Sequence, residues 1–206
     1  MIYSLSHNNV ALLVIDVQQE YFKPGGPAAF ESAPTILANL SRLIEGFRRA
    51  GKSVIFIKHM HREDGSDAGR MGDFGSPDDE SSFVEGTPEV SLHPDLDYRQ
   101  GDVVVVKRRY SAFVGTDLEA VLRTSGTQAV VLCGMMTSFC CETTARDAHE
   151  RDYEVLFVSD AIAGPDLQDV DGAKVSHLDV MRSTTTALAA GFAEIVSSSA
   201  VLERLS

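Results

Sequence analysis

Val10-Ala-Leu-Leu-Val-Ile-Asp16 is an unbroken apolar run that ends in an acid. Such a run suits a strand buried on both faces, as in a parallel sheet covered by helices. Next along the chain, residues 34–50 place Ile36, Leu37, Leu40, Leu43, Ile44 and Phe47 at helical spacing, and Gly51 stands where a helix C-terminal glycine belongs. Further strands are expected at 52–58, 102–107, 128–133 and 153–159, with a shorter sixth at 193–197. Helices are expected at 117–124, with Thr116 as N-cap and Gly126 past the end, and at 138–151 and 172–190. Strands alternating with helices predict an α/β fold with helices on both faces of a parallel sheet and right-handed crossovers. Ligands then bind outside the C-terminal ends of the strands.

The chain has 206 residues, 44% of them apolar, enough for one full core, so a single domain over 1–206 is expected. A net charge of −12, from 30 acids and 18 bases, repels nucleic acid and anionic membranes and favours a small-molecule partner. The opening MIYSLSHNNV lacks a signal-peptide pattern, and no apolar run nears the roughly 18 residues of a membrane span. A soluble cytoplasmic protein is expected. The three cysteines, Cys133, Cys140 and Cys141, crowd together and are odd in number, so they form no disulfide framework. Cys133 reads as a small buried hydrophobe. Residues 59–100 lack periodicity and are rich in Gly, Asp, Ser and Pro; so long a loop is read as a cover over the site or an oligomer contact. Its acids, Asp64, Asp67, Asp78, Asp79 and Glu80, read as a solvated face.

Three polar residues stand at or just past strand ends: Asp16, Lys107 after four valines, and Cys140 beyond Cys133-Gly134. A charged residue that ends a strand is commonly just solvated. An acid, a cation and a thiol together at the ligand-binding edge are more telling. With Thr137 or Ser138 as cap, Cys140 falls in the first turn of a helix, where the dipole and a nearby ammonium favour thiolate. Thiolate is the nucleophile of acyl transfer. Asp16 can take the thiol proton and return it to a leaving amine, and Lys107 holds both groups. Backbone N–H groups around Met136 and Cys140 face the developing oxyanion.

Gly134-Met-Met-Thr137-Ser-Phe-Cys140-Cys-Glu-Thr-Thr-Ala-Arg146-Asp147-Ala148 resembles the signature of the isochorismatase-like cysteine hydrolases. Leu-Val-Ile-Asp16-Val-Gln18 resembles that family's first strand, and Lys107-Arg-Arg-Tyr-Ser111-Ala112-Phe113 its lysine segment. The resemblance spans residues 10 to about 162. It implies a six-stranded parallel sheet in order 3-2-1-4-5-6 and a triad of Asp16, Lys107 and Cys140. It also implies a cis peptide at Met135–Met136, an oxyanion hole from the N–H groups of Met136 and Cys140, no cofactor, and a homo-oligomer. Gln18, Phe22, His59, Tyr110, Phe113 and Thr137 are the expected substrate contacts, although any of the aromatics could equally be core.

Rival readings of the same residues are weaker. Cys140 to Arg146 fits the Cys-x5-Arg of a phosphatase loop, but Glu142 would repel a phosphate there, and Arg146 pairs naturally with Glu142 or Glu150 on a helix. A Cys-x-x-Cys redox spacing is absent, and no Gly-x-Gly-x-x-Gly follows the first strand. His59-Met-His61 resembles the start of the Asp-x-His metal segment of related nicotinamidases. Its first position is His59, however, and the pattern is incomplete, so no metal is expected. His177 reads as a capping or interface residue. The expected activity is cysteine-dependent hydrolysis of a C–N bond in a small amide, ureide or carbamoyl compound. The alternatives are isochorismatase-type vinyl-ether hydrolysis and a non-catalytic thiol sensor or scaffold.

Overall fold

The computed structural model describes residues 3, 5, 9–73 and 82–205. Strands β1 (Val10–Ile15), β2 (Ser53–His59), β3 (Val103–Lys107), β4 (Ala129–Met135) and β5 (Glu154–Ala163) pair in parallel, with β8 (Glu194–Val196) beside β5. The strand order is β3-β2-β1-β4-β5-β8, the expected arrangement, with the sixth strand numbered eighth because a short hairpin intervenes. That hairpin, β6 (Leu167–Gln168) and β7 (Lys174–Val175), is antiparallel and forms a separate sheet.

Alternation along β1 explains why its whole run is apolar. Leu12 and Val14 point to one face, where α1 (Leu37–Arg49) and α5 (Ser198–Leu205) supply Leu40, Leu43, Ile44, Phe47 and Val201. Ala11, Leu13 and Ile15 point to the other, against Leu118 and Leu122 of α2 (Leu118–Thr124), Ala145 and Ala148 of α3 (Glu142–His149), and Leu188 of α4 (His177–Ala189). Period-two side chains feed two cores from one strand, giving three layers.

Helix ends follow local chemistry. Gly51 takes φ +65° after α1, and its N–H and that of Lys52 reach back to the carbonyls of Arg48 and Phe47 at 3.0 and 2.9 Å, closing the helix as a C-terminal glycine does. The helix expected at 172–190 instead starts at His177. Asp169 and Gly172 turn the hairpin, and the Ser176 side chain caps α4 by accepting from the Asp179 N–H at 3.2 Å. Gly134 is required by contact: a Cβ there would lie 2.0 Å from the Ile15 carbonyl oxygen. Only glycine lets the end of β4 approach the end of β1 that closely.

Residues 59–100 are less bare than expected. Their described residues include the short 3-10 turns Gly69–Gly72 and Pro88–Val90, and bridges tie His61 to Val84 and Leu92 to Gln18. Asp64 is exposed, but Asp67 is largely buried, which corrects its reading as part of a solvated face: Arg108 and His61 hold it inside. Asp78, Asp79 and Glu80 lie outside the described residues. Among the described residues no helix is long and apolar enough to cross a membrane.

Candidate active site

Parallel strands bring their C-terminal ends to one edge, and three of them deliver polar groups there. Asp16 follows β1; its N–H donates to the Ile57 carbonyl at 3.0 Å, and its φ of +50° turns the chain off the sheet. Aspartate tolerates that left-handed conformation better than most residues. Lys107 ends β3, in register with His59 at the end of β2. Beyond β4 the Met135–Met136 bond is cis, as the resemblance implied. Thr137–Cys141 then forms a single π turn that leads into α3. The expected α-helical first turn with a Thr137 or Ser138 cap is thus corrected: Met136 holds the cap position and no side chain caps it.

The three side chains meet. Lys107 Nζ lies 2.8 Å from Asp16 Oδ2 and donates to Cys140 Sγ at 3.1 Å. Asp16 and Lys107 are fully buried and Cys140 nearly so. Lys107 also donates to the Arg109 carbonyl at 3.1 Å and stands 2.9 Å from His59 Nδ1. Neither Asp16 oxygen has a well-aligned hydrogen-bond donor among the described residues. Lys107 at 2.8 Å and the Cys140 thiol both face the carboxylate, and each favours its charged form. Donor atoms of Asp16, His59 and Cys140 all lie within 4.8 Å of one another, a spacing that would suit a metal. The Lys107 ammonium already stands among all three and supplies the positive charge.

Electrostatics oppose one expectation. Burial pushes the Cys140 thiol up to about 12; Lys107 pulls against this, and Asp16 adds to it. Dehydration of the sulfur favours the neutral thiol more than the nearby ammonium favours the expected thiolate. Burial likewise raises Asp16 above the ordinary carboxylate range despite the opposing pull of Lys107. Burial alone would lower Lys107, but Asp16 and Cys140 outweigh it, and the amine stays firmly protonated.

The expected substrate contacts divide. His59 is buried against Lys107. Thr137 is buried with no partner for its hydroxyl among the described residues. Met136 is half-buried. Tyr110 is partly exposed, stands in the field of Cys140, and has its ring 5.7 Å from that of Phe139. Phe22 lies against the His93 ring at 4.2 Å. Two of the expected contacts also serve the scaffold. Gln18 is fully buried, and its amide serves the scaffold: Nε2 donates to the carbonyls of His59 and Val90 at 3.0 and 2.9 Å, and Oε1 accepts from the His59 N–H at 2.7 Å. Phe113 is core, stacked on Tyr153 at 6.0 Å with the Arg151 guanidinium over its ring. Arg146 pairs with Glu142 at 2.7 Å, as a helix interior predicts, and His177 pairs with Asp166 at 3.0 Å. The sequence did not single out the row in which His61 lies 2.8 Å from His59 and 3.2 Å from Asp67, although His59 and His61, two apart at a strand end, share a face.

A buried acid, ammonium and thiol thus meet at the carboxyl edge of a parallel sheet. Comparison with known proteins gives the class of protein. The isochorismatase domain family matches residues 10–189, and the chain belongs to the isochorismatase family of hydrolases. A cysteine hydrolase from Pseudomonas syringae pv. phaseolicola has a similar structure, with 36% identity and a TM-score of 0.91 over 96% of this chain and 92% of that one. Nicotinamidase 3 of Arabidopsis thaliana is 35% identical over 74% of this chain and 72% of its own length. The ureidoacrylate amidohydrolase RutB of Rhizobium rhizogenes is 30% identical over 79% and 74%.

Proposed function

We propose that this protein hydrolyses a C–N bond in a small amide, ureide or carbamoyl compound through a thioester on Cys140. One observation carries the reading: a single ammonium, Lys107, lies 2.8 Å from a buried carboxylate and 3.1 Å from a buried thiol. Relatives named for nicotinamide and ureidoacrylate support the substrate class.

The protonation states dictate the order of events. As substrate enters, Sγ attacks the carbonyl carbon while its proton passes to Asp16, whose raised affinity suits a general base. The S–C bond forms, the carbonyl electrons move to oxygen, and the N–H groups of Met136 and Cys140 receive that oxyanion. Asp16 then protonates the nitrogen, the C–N bond breaks, and ammonia or an amine leaves. Water attacks the thioester and gives a proton to Asp16. The C–S bond breaks, and the proton returns to sulfur as the acid departs. Lys107 keeps its proton throughout and balances the charge that moves between Asp16 and Cys140.

A panel of small amides, ureides and carbamoyl compounds, read by ammonia release, tests this. Cys140→Ala is expected to lose at least about 10³-fold in kcat on any substrate found, and acid-quenched wild type should carry an acyl mass adduct. Vinyl-ether hydrolysis that survives Cys140→Ala would overturn it.

A further inference from the structure

Lys107 has a polar side-chain neighbour that this reaction does not use. His59 Nδ1 lies 2.9 Å from Nζ. An ammonium has donors only, so Nδ1 must accept and the His59 proton sits on Nε2. That nitrogen is 2.8 Å from His61 Nε2. Since His59 donates, His61 accepts there and carries its own proton on Nδ1. His61 Nδ1 in turn lies 3.2 Å from Asp67 Oδ1. Asp67 is fixed at its other end: the Arg62 N–H donates to Oδ1 at 3.0 Å, and Arg108 Nε sits 2.7 Å from Oδ2. One tautomer of each ring, and no other, satisfies the whole row.

We propose that His59, His61 and Asp67 form a tautomer-locking chain that aims the Lys107 ammonium at Asp16 and Cys140. His61 and Asp67 are then positioning residues, though neither touches the thiol. The inference rests on Cys140 being the nucleophile that Lys107 serves. The lock works by direction. One Lys107 N–H goes to His59 and one to the Arg109 carbonyl, which leaves the third to face Asp16 Oδ2 and Cys140 Sγ. A His59 ring that moved its proton to Nδ1, or gained a second proton, would set N–H against N–H at this distance and displace the ammonium.

The surroundings hold both rings neutral. Burial first, then Lys107, His61, Arg108 and Arg109, lower His59. Burial also lowers His61, with Asp67 opposing and Arg108 and Arg109 assisting. The charged and titratable groups facing the pair are Lys107, Arg108 and Arg109 from the end of β3, Asp67 from the loop, and Asp16 and Cys140 across the site. The cations Lys107, Arg108 and Arg109 disfavour a further positive charge on either ring, so the chain fails only in acid.

Nitrogen NMR of the labelled full-length protein at neutral pH reads the chain without any substrate. Neutral rings protonated at His59 Nε2 and His61 Nδ1 are expected; the opposite tautomers, or an imidazolium, would overturn the proposal. Because this readout needs no turnover, it separates failure of the chain from failure of the cysteine mechanism. In the assay, His61→Ala is expected to lower kcat by about 10- to 100-fold with little change in KM, and to move the acid limb of the kcat profile to higher pH. His61→Gln should recover most of kcat, because its carbonyl can accept from His59 while its amide donates to Asp67. An unchanged kcat in His61→Ala, a rise in KM alone, or a His61→Gln variant as slow as His61→Ala would each refute it. So would stoichiometric zinc in the purified protein that His61→Ala removes, since a metal would take the ring lone pairs.

Discussion

Cys140 and its neighbour Cys141 are chemically identical and both buried, yet only Cys140 lies against Lys107. Cys140→Ala is therefore expected to abolish turnover and Cys141→Ala to retain most of it. The charge state of Cys140 makes a second prediction. A thiol pushed up to about 12 carries almost no thiolate at neutral pH, and thiolate is the reactive form. Iodoacetamide should label Cys140 of the free protein at pH 7 more slowly than it labels a free cysteine. Mass spectrometry of timed aliquots reads this; rapid labelling would mean that a standing thiolate exists after all. The identities of Asp16, Lys107 and Cys140 were legible in the sequence because each stands at or beyond a strand end. The charge on the sulfur was not, because it depends on how much water the folded chain excludes.

At the level of elements, strands and helices were legible wherever apolar periodicity was strong, and the sheet order came from the motif resemblance. What escaped depends on distant partners. Helix α5 is capped from β5: the Asp160 carboxylate accepts from the Ser198 N–H and hydroxyl at 2.7 and 2.8 Å. No local pattern announces that pairing. Gln18 escaped for a similar reason. Its amide stitches the end of β2 to the Pro88–Val90 turn of the long loop. Gln18→Leu keeps the volume but strands the His59 N–H and the carbonyls of His59 and Val90. A buried polar group left without a partner costs about 1–3 kcal/mol. We expect a loss of about 2–4 kcal/mol in urea unfolding, with faster hydrogen exchange at residues 82–92. An unchanged melt, with exchange unaltered in that segment, would mean that the stitch is not what holds the loop.

Among the described residues the buried thiols and the buried Tyr21 hydroxyl shift in one direction. Burial raises the thiols of Cys133, Cys140 and Cys141 above their ordinary value near 9.0, and raises Tyr21 well above its own. Lys107 is also raised, there by Asp16 and Cys140 acting against burial. A group whose folded pKa exceeds its unfolded one contributes stability that is complete below the unfolded value and is lost as pH climbs toward the folded value. For the thiols that window opens near pH 9 and runs to about 12, the value for Cys140. Each thiol that ionises only on unfolding tilts stability by about 1.4 kcal/mol per pH unit, so three together approach about 4 kcal/mol per unit above pH 10. Total stabilities of about 5–15 kcal/mol cannot absorb that for long. The protein is therefore expected to hold a nearly constant unfolding free energy from pH 7 to 8.5, then to lose it steeply and unfold before pH 12. Urea titrations at half-unit steps, followed by far-ultraviolet circular dichroism, measure the slope. A flat profile through pH 10.5 would mean that water reaches these sulfurs, and the same water would return Cys140 to an ordinary, readily ionised thiol.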